Sequence, residues 1–316
     1  MGQQGNRATR FEDFYGMDGL IGQLRRGVNG AQSVHAYLFC GPQGAGKLSL
    51  AQICAQGMNC AAPLGQRPCG KCGPCQRYLH GTYPDHILIE GEKSIKVDDV
   101  RALIDRLSLR PYEGGRHTVI IQGADKMTPQ AQNALLKTLE EPPGDAVLFL
   151  VAEKAASLLP TILSRVRLIR FSPLEEADCA QALRQLGVAA DRADILARAA
   201  QGLVGKALAL EGDEAYWALR ERVLSALNAL KGPQDVAAAF AFLKDDKGEA
   251  QRVMAVMEQL ARDRMAGQAG LPGAPPGEIA LPGSRLLAGV LEARRMLASN
   301  VTWQWTLETM FLKLTA

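Results

Sequence analysis

The segment Gly41-Pro-Gln-Gly-Ala-Gly-Lys47 constrains this chain more than any other. It follows a short apolar run, Ala36-Tyr-Leu-Phe-Cys40, that reads as a buried strand. It precedes residues 47–59, which carry a helix pattern. A glycine-rich turn between a strand and a helix start is a phosphate-binding loop. Backbone N–H groups of the turn and of the helix N-terminus cradle phosphate, and Lys47 adds a point charge. Gly41, Gly44, Gly46 and Lys47 are therefore the candidate phosphate ligands, for ATP or ADP. The alternative is a strand–helix turn that binds nothing. The next position in such loops is Ser or Thr, whose hydroxyl holds Mg²⁺. Here it is Leu48, which has no ligating atom. Ser49 lies about 100° further round the helix. The loop keeps its phosphate groups and lacks the group that positions the metal.

The rest of the first half alternates. Residues 86–90, 118–122, 146–151 and 167–171 read as further strands. Residues 97–107, 128–141 and 158–164 read as helical, the second entered through Thr128-Pro129 as N-cap and first-turn proline. Apolar runs alternating with helices predict an α/β fold, a parallel sheet covered by helices on both faces. After Pro173 the strand signals stop. Residues 175–210 read as a small helical unit and 214–316 as helical throughout. Val253, Val256, Met257 and Leu260 share one helix face. Leu286, Leu287, Val290 and Leu291 share another, and Trp303, Leu307, Met310, Phe311 and Leu314 a third. Residues 267–283, rich in Gly and Pro, read as an exposed loop.

Composition narrows the function classes. The 316 residues carry 36 Lys+Arg against 33 Asp+Glu, a net charge of +3, too little to argue for nucleic acid or an anionic membrane by charge alone. Aromatics at 5% speak against an aromatic-rich β-sandwich. No apolar run approaches the ~20 residues of a membrane span, and residues 1–10 form no apolar signal core. A soluble, cytoplasmic protein with no membrane partner is expected.

The seven cysteines are unevenly placed. Cys60, Cys69, Cys72 and Cys75 fall in a Gly/Pro-rich stretch as two overlapping Cys-x₂-Cys units closed by Cys60. Four thiolates at this spacing predict a closed, structural Zn²⁺ site at about residues 60–75. An iron–sulfur cluster also takes four thiolates, but the spacing is not that of ferredoxins. Four independent free thiols are the remaining alternative. His80 and His86 read as bystanders.

Three segments carry a family resemblance. Ala36-Tyr-Leu-Phe with the phosphate loop, Asn133-Ala-Leu-Leu-Lys-Thr-Leu-Glu-Glu-Pro-Pro143, and Thr161-Ile-Leu-Ser-Arg165 resemble, in order and spacing, the bacterial DNA polymerase III clamp-loader subunits, which are AAA+ proteins. The resemblance covers residues 11–210 by motif and 211–316 by helical character. It implies a P-loop AAA+ domain over 1–172 with the four-cysteine zinc module inserted, a helical lid over 173–210 and an all-helical collar domain over 211–316.

Within that family the gamma/tau branch hydrolyses ATP and the delta-prime branch resembles a degraded sibling. Active members carry an Asp-Glu pair eleven and ten residues before the Asn of the Asn-Ala-Leu-Leu-Lys block. Here those positions hold Gln122 and Gly123, while Asp125 and Glu153 lie nearby in sequence. The family's sensor positions fall at Ala152–Glu153 and at Gly205, with neither the usual Thr/Asn nor the usual Arg. The resemblance thus implies a delta-prime-like subunit with no ATPase of its own, working inside a DNA-directed DNA polymerase assembly. Its implied partners are gamma/tau and delta subunits, and, through the complex, the sliding clamp and primer-template DNA. The retained Ser164-Arg165 pair corresponds to the family's Ser-Arg-Cys, with Val166 in place of Cys. It implies that Arg165 acts in trans as an arginine finger on a neighbour's ATP. An ordinary surface ion pair is the alternative for Arg165. An active gamma/tau-like ATPase is the competing function. A zinc-dependent nucleic-acid-binding module is a third, opposed by the near-neutral charge and the lack of basic aromatic tracts.

Overall fold

A computed structural model of the chain describes residues 9–30, 34–91, 93–244, 246–270 and 277–315. Two compact units are present, Met1–Ala189 with Gln201–Ala207, and Ala190–Ala200 with Leu208–Ala316.

The first unit runs α1 (Asp18–Asn29), β1 (Ala36–Cys40), α2 (Lys47–Met58), α3 (Gly73–Leu79), β2 (His86–Glu90), α4 (Val97–Leu107), β3 (Thr118–Gln122), α5 (Pro129–Glu140), β4 (Val147–Ala152), α6 (Pro160–Leu163), β5 (Arg167–Arg170) and α7 (Glu176–Gln185). The strands form one sheet in the order β2-β3-β4-β1-β5, with every neighbouring pair parallel. Alternation along each strand splits the side chains between two cores. Leu38, Val119, Ile121, Leu148 and Leu150 pack against α4 and α5 through Val100, Leu103, Leu135 and Leu139. Tyr37, Phe39, Ile120, Phe149 and Val151 pack on the other face against α1 and α2 through Ile21, Leu24, Leu50 and Ile53. Burial on both faces is why these strands read as continuous apolar runs. The doubly covered parallel sheet expected from the sequence is the fold found.

Local signals set the helix limits. The Thr128 side chain accepts from the Ala131 amide at 3.2 Å, Pro129 opens α5, and Pro142-Pro143 follows its end. Two helices had no sequence expectation. In α1 the buried residues Ile21, Leu24 and Val28 have helical spacing, but Gly19, Gly22 and Gly27 dilute the signal. In α3 a helix of 7 residues begins at Gly73-Pro74 inside the cysteine stretch, too short for periodicity to appear.

The second unit holds α8 (Ala190–Ala199), α10 (Glu214–Ala229), α11 (Val236–Leu243), α12 (Ala250–Gln268), α13 (Gly283–Ala298) and α14 (Trp303–Thr315). Helix α9 (Val204–Glu211) is divided between the units. Arg198 of α8 pairs with Asp263 of α12 at 3.0 Å, and Arg220 of α10 with Glu278 at 2.6 Å. The expected faces of α12 and α14 are buried. Leu291 departs from expectation: it is 47% exposed, on the outer side of the α13 face that buries Leu286 and Val290. The Gly/Pro-rich stretch lies between α12 and α13, and its residues 271–276, like residues 1–8 of the polar start, lie outside the described residues. Among the described residues no helix is long and apolar enough to cross a membrane.

Candidate functional site

Parallel register brings the carboxyl ends of three strands together. Cys40 pairs with Ala152, and Gln122 with Val151. The loops that leave these ends enclose a cavity of about 310 Å³, where ligands bind in open parallel sheets. Gly44, Gly46 and Lys47 line it on one side. Gln122, Gly123, Asp125 and Glu153 line it from the ends of β3 and β4, and Gly205 lines it beside the loop.

The loop geometry needs its glycines. Gly44 and Gly46 both hold φ at 85°, in the left-handed region that side chains with a Cβ avoid. Gly46 then caps α2, so Lys47 begins the helix. The Lys47 ammonium is largely buried and donates to the carbonyls of Gly41 at 2.5 Å and Pro42 at 2.7 Å, both in its own loop. Burial pulls its pKa below the ordinary lysine value, against the attraction of Glu153, Cys40 and Asp125. Two carboxylates thus face the cation that would meet a phosphate.

Leu48 lines the cavity and packs on the core beside α2, and Ser49 also reaches the lining. At the end of β3 the Gln122 Oε1 is buried without a hydrogen-bond partner. Gly123 holds φ at 74°, and a Cβ built there would lie 2.9 Å from the Gly91 carbonyl oxygen. Gly205 lies against the loop itself, its amide donating to the Gly44 carbonyl at 2.8 Å.

The four clustered cysteines converge. The sulfurs of Cys60, Cys69, Cys72 and Cys75 all lie within 4.8 Å of one another, with Cys72 and Cys60 at 3.9 Å. Tetrahedral zinc with 2.3 Å bonds spaces its sulfurs by about 3.8 Å. Backbone amides aim at the sulfurs: Ala62 and Cys69 donate to Cys60 Sγ at 3.4 and 3.3 Å, and Cys72 donates to Cys69 Sγ at 3.4 Å. The amides of Lys71 and Cys72 lower the Cys69 thiol to about 6, while burial raises Cys60 and Cys75. Amide-solvated thiolates in a closed group of four fit a metal such as zinc. The cluster is fastened to the sheet unit. Gln56 Nε2 donates to the Cys75 carbonyl at 3.1 Å, Asn59 Nδ2 donates to Tyr78 Oη at 3.2 Å, and Tyr78 Oη meets Thr118 Oγ1. His86 bonds to Thr118 rather than joining the cluster, and His80 is exposed outside it.

Arg165 follows α6, clear of both cores. Its Nε donates to Glu140 Oε1 at 2.6 Å, and its Nη1 to the Thr161 carbonyl at 2.9 Å and to Ser164 Oγ at 3.0 Å. Glu140 lies within the Asn133–Pro143 segment, and nothing in that segment alone marks it as a partner of Arg165. No local pattern links two residues 25 positions apart. The Gly44–Gly205 approach was equally hidden, since only the fold brings those glycines together.

A phosphate loop at the carboxyl edge of a parallel sheet in this order, with helices on both faces, defines a P-loop α/β module, the fold that the AAA+ resemblance implies. The family described as "DNA polymerase III, delta subunit" matches residues 17–175, half of the chain, and the chain belongs to that family. A DNA polymerase III subunit delta' of Pseudomonas aeruginosa is 45% identical over 138 residues, 43% of this chain and 42% of that protein. The delta' subunit of Bacillus subtilis is 34% identical over 212 residues, 67% of this chain and 63% of that protein. The tau subunit of Escherichia coli is 33% identical over 266 residues, 81% of this chain and 41% of that protein. The chain thus spans less than two thirds of each relative's length. At the level of the family, of delta-prime type, the resemblance read from the sequence is borne out.

Proposed function

We propose that this chain is a non-hydrolysing, delta-prime-like subunit of a DNA polymerase III clamp loader. It would assemble with gamma/tau and delta subunits and act with them, in the cytoplasm, to place the sliding clamp on primer-template DNA. One observation carries the reading. The cavity that should activate water and hold Mg²⁺ presents Leu48, Gln122 and Gly123 where hydrolysis needs a hydroxyl and two carboxylates. Asp125 and Glu153 line the same cavity but face Lys47 electrostatically. The loop keeps Gly44, Gly46 and Lys47 at the cavity as phosphate-binding residues, while Gly41 lies outside the lining and accepts from Lys47, so any ATP or ADP it takes is held and not turned over.

Ser164 and Arg165 are the residues this subunit offers to chemistry elsewhere. Arg165 would reach ATP bound by a neighbour and neutralise charge on the transferring phosphoryl group. Zinc at Cys60, Cys69, Cys72 and Cys75 has a structural task, because four sulfurs leave no open coordination position. Residues 173–210 would act as the lid and 211–316 as the collar.

The competing reading is an active gamma/tau-like ATPase, favoured by the 81% of this chain that aligns with the E. coli tau subunit. One experiment separates the two. ATP hydrolysis is measured for the isolated chain, then for the complex reconstituted with clamp and primed DNA, with and without Arg165→Ala. The proposal expects background turnover from the isolated chain. It also expects a partial loss of turnover by the mutant complex, reflecting a fall of about 10³-fold or more at one interface. Metal-dependent turnover by the isolated chain that Lys47→Ala abolishes would establish the ATPase reading instead. Unchanged turnover with mutant protein fully incorporated would return Arg165 to a surface ion pair.

A further inference from the structure

Glu140 is the last residue of α5, and Arg165 lies just past the end of α6. Their side chains are joined twice, since Arg165 Nε donates to Glu140 Oε1 at 2.6 Å and Nη2 pairs with the same oxygen. On the other side Nη1 reaches the Thr161 carbonyl and Ser164 Oγ, and Ser164 Oγ itself donates to the Thr161 carbonyl at 3.0 Å. All three guanidinium nitrogens are thus held, by acceptors from two helical segments.

Stability does not account for this arrangement. The two side chains are 34% and 48% exposed, and exposed pairs add little to folding. Orientation does account for it. A free arginine side chain samples many rotamers, and fixing one at the moment of binding costs entropy. Here the ordering is done before any partner arrives. The acceptors also divide the labour. Thr161 and Ser164 are local to Arg165 and hold Nη1, whereas Glu140 alone comes from α5 and fixes the Nε edge, which sets the plane of the fork.

We propose that Glu140 is a positioning residue for Arg165, setting the direction in which the guanidinium leaves this subunit. The inference rests on the reading of Arg165 as a residue acting in trans. It ties the Leu-Glu-Glu-Pro-Pro segment to the Ser-Arg segment as two halves of one device. Loss of Glu140 leaves the charge of Arg165 in place and removes its aim.

The test uses the full chain in the reconstituted complex. The ATP turnover removed by Arg165→Ala defines the Arg165-dependent share. Glu140→Ala is expected to slow that share about 2- to 10-fold, the size expected for one side chain no longer immobilised in advance. The loss should appear in kcat with KM for ATP unchanged. Glu140→Gln keeps an acceptor oxygen for Nε and is expected to recover most of the loss. In the Arg165→Ala background Glu140→Ala should cost nothing more, because the residue acts only through the guanidinium. If Arg165→Ala itself changes nothing, the in-trans reading fails and takes this one with it. If Arg165→Ala slows turnover while Glu140→Ala does not, only the role of Glu140 is overturned. Equal losses from Glu140→Ala with and without Arg165 would mark Glu140 as structural and overturn it too.

Discussion

The amide of Gly205 donates to the carbonyl of Gly44 at 2.8 Å, backbone against backbone. A Cβ built on Gly205 would lie 3.0 Å from both the Cα and the carbonyl oxygen of Gly44. Nearby, Gly202 at φ 77° turns the chain so that its carbonyl accepts from the Leu174 amide at 3.1 Å. The position where the family resemblance places a sensor arginine is thus packed directly on the phosphate loop. A side chain at 205 would crowd this contact, and the phosphate loop would have to give by a few tenths of an ångström to admit one.

Gly205→Ala should therefore lower the stability of the first unit by about 1 kcal/mol, an ordinary cost for a substitution that forces backbone apart. Gly205→Arg should cost more and confer no ATPase. Thermal unfolding gives the stability, and hydrogen exchange at Gly205 reports the bond itself. An alanine variant with unchanged melting and unchanged Gly205 protection would show that the contact is incidental.

Restoring the missing catalytic groups should also fail. The triple variant Leu48→Thr, Gln122→Asp, Gly123→Glu rewrites the metal and water positions but not the backbone beneath them. Gly123 holds φ at 74°, and a Cβ there meets the Gly91 carbonyl at 2.9 Å. Left-handed backbone costs a residue with a Cβ roughly 1–2 kcal/mol, and the contact with Gly91 adds to it. Stability should fall and the isolated chain should stay at background turnover. Robust, Mg²⁺-dependent hydrolysis by the triple variant would show that side chains alone separate this cavity from an active one.

How far the sequence could be read depended on range. Strands buried on both faces announce themselves in four or five consecutive residues, so β1, with Leu38 on one core and Phe39 on the other, was legible as an apolar run. Thr128-Pro129 marked the start of α5 because a cap is local chemistry. The cysteine spacing was legible because two Cys-x₂-Cys units have few ways to point their sulfurs apart. The α1 helix was not legible, since three glycines mask a face of three buried residues. Nor was the Glu140–Arg165 pair or the Gly44–Gly205 contact. Each joins positions far apart in the chain, and only the tertiary fold decides that they meet.

The cysteine cluster should carry one metal ion per chain. Four sulfurs within 4.8 Å of one another leave room for one ion and no second. Elemental analysis of the purified protein should find zinc at about one equivalent. Cys72→Ser should lose it and loosen residues 60–80, where the Gln56 bond to the Cys75 carbonyl anchors α3. Helices α10 to α14 belong to the other compact unit, so their exchange protection should not change. Iron in place of zinc, or full metal retention by Cys72→Ser, would overturn the four-sulfur zinc site.

His86 gives the first unit a dependence on pH that can be isolated. It opens β2, its Nδ1 lies 3.2 Å from Thr118 Oγ1, and its ring sits 5.0 Å from that of Tyr78. Burial pushes its pKa down from 6.5 to about 4, and the positive charge of Arg106 adds to the depression. The sign follows from which state takes the proton. Between pH 6.5 and 4 the unfolded chain binds a proton at this residue and the folded chain does not, so stability falls as pH drops through that window. Above 6.5 both states are neutral there and the contribution vanishes. The slope is at most about 1.4 kcal/mol per pH unit, and the full window is worth up to about 3 kcal/mol. His86→Gln keeps a polar group for Thr118 and removes the titration. Urea unfolding of both proteins between about pH 7 and 4 should give a wild-type curve that falls more steeply than the variant's. Carboxylates and the cysteine cluster titrate in both proteins and cancel in the difference. Parallel curves, or an NMR titration placing His86 near 6.5 in the folded chain, would show that the half-buried imidazole is not held neutral.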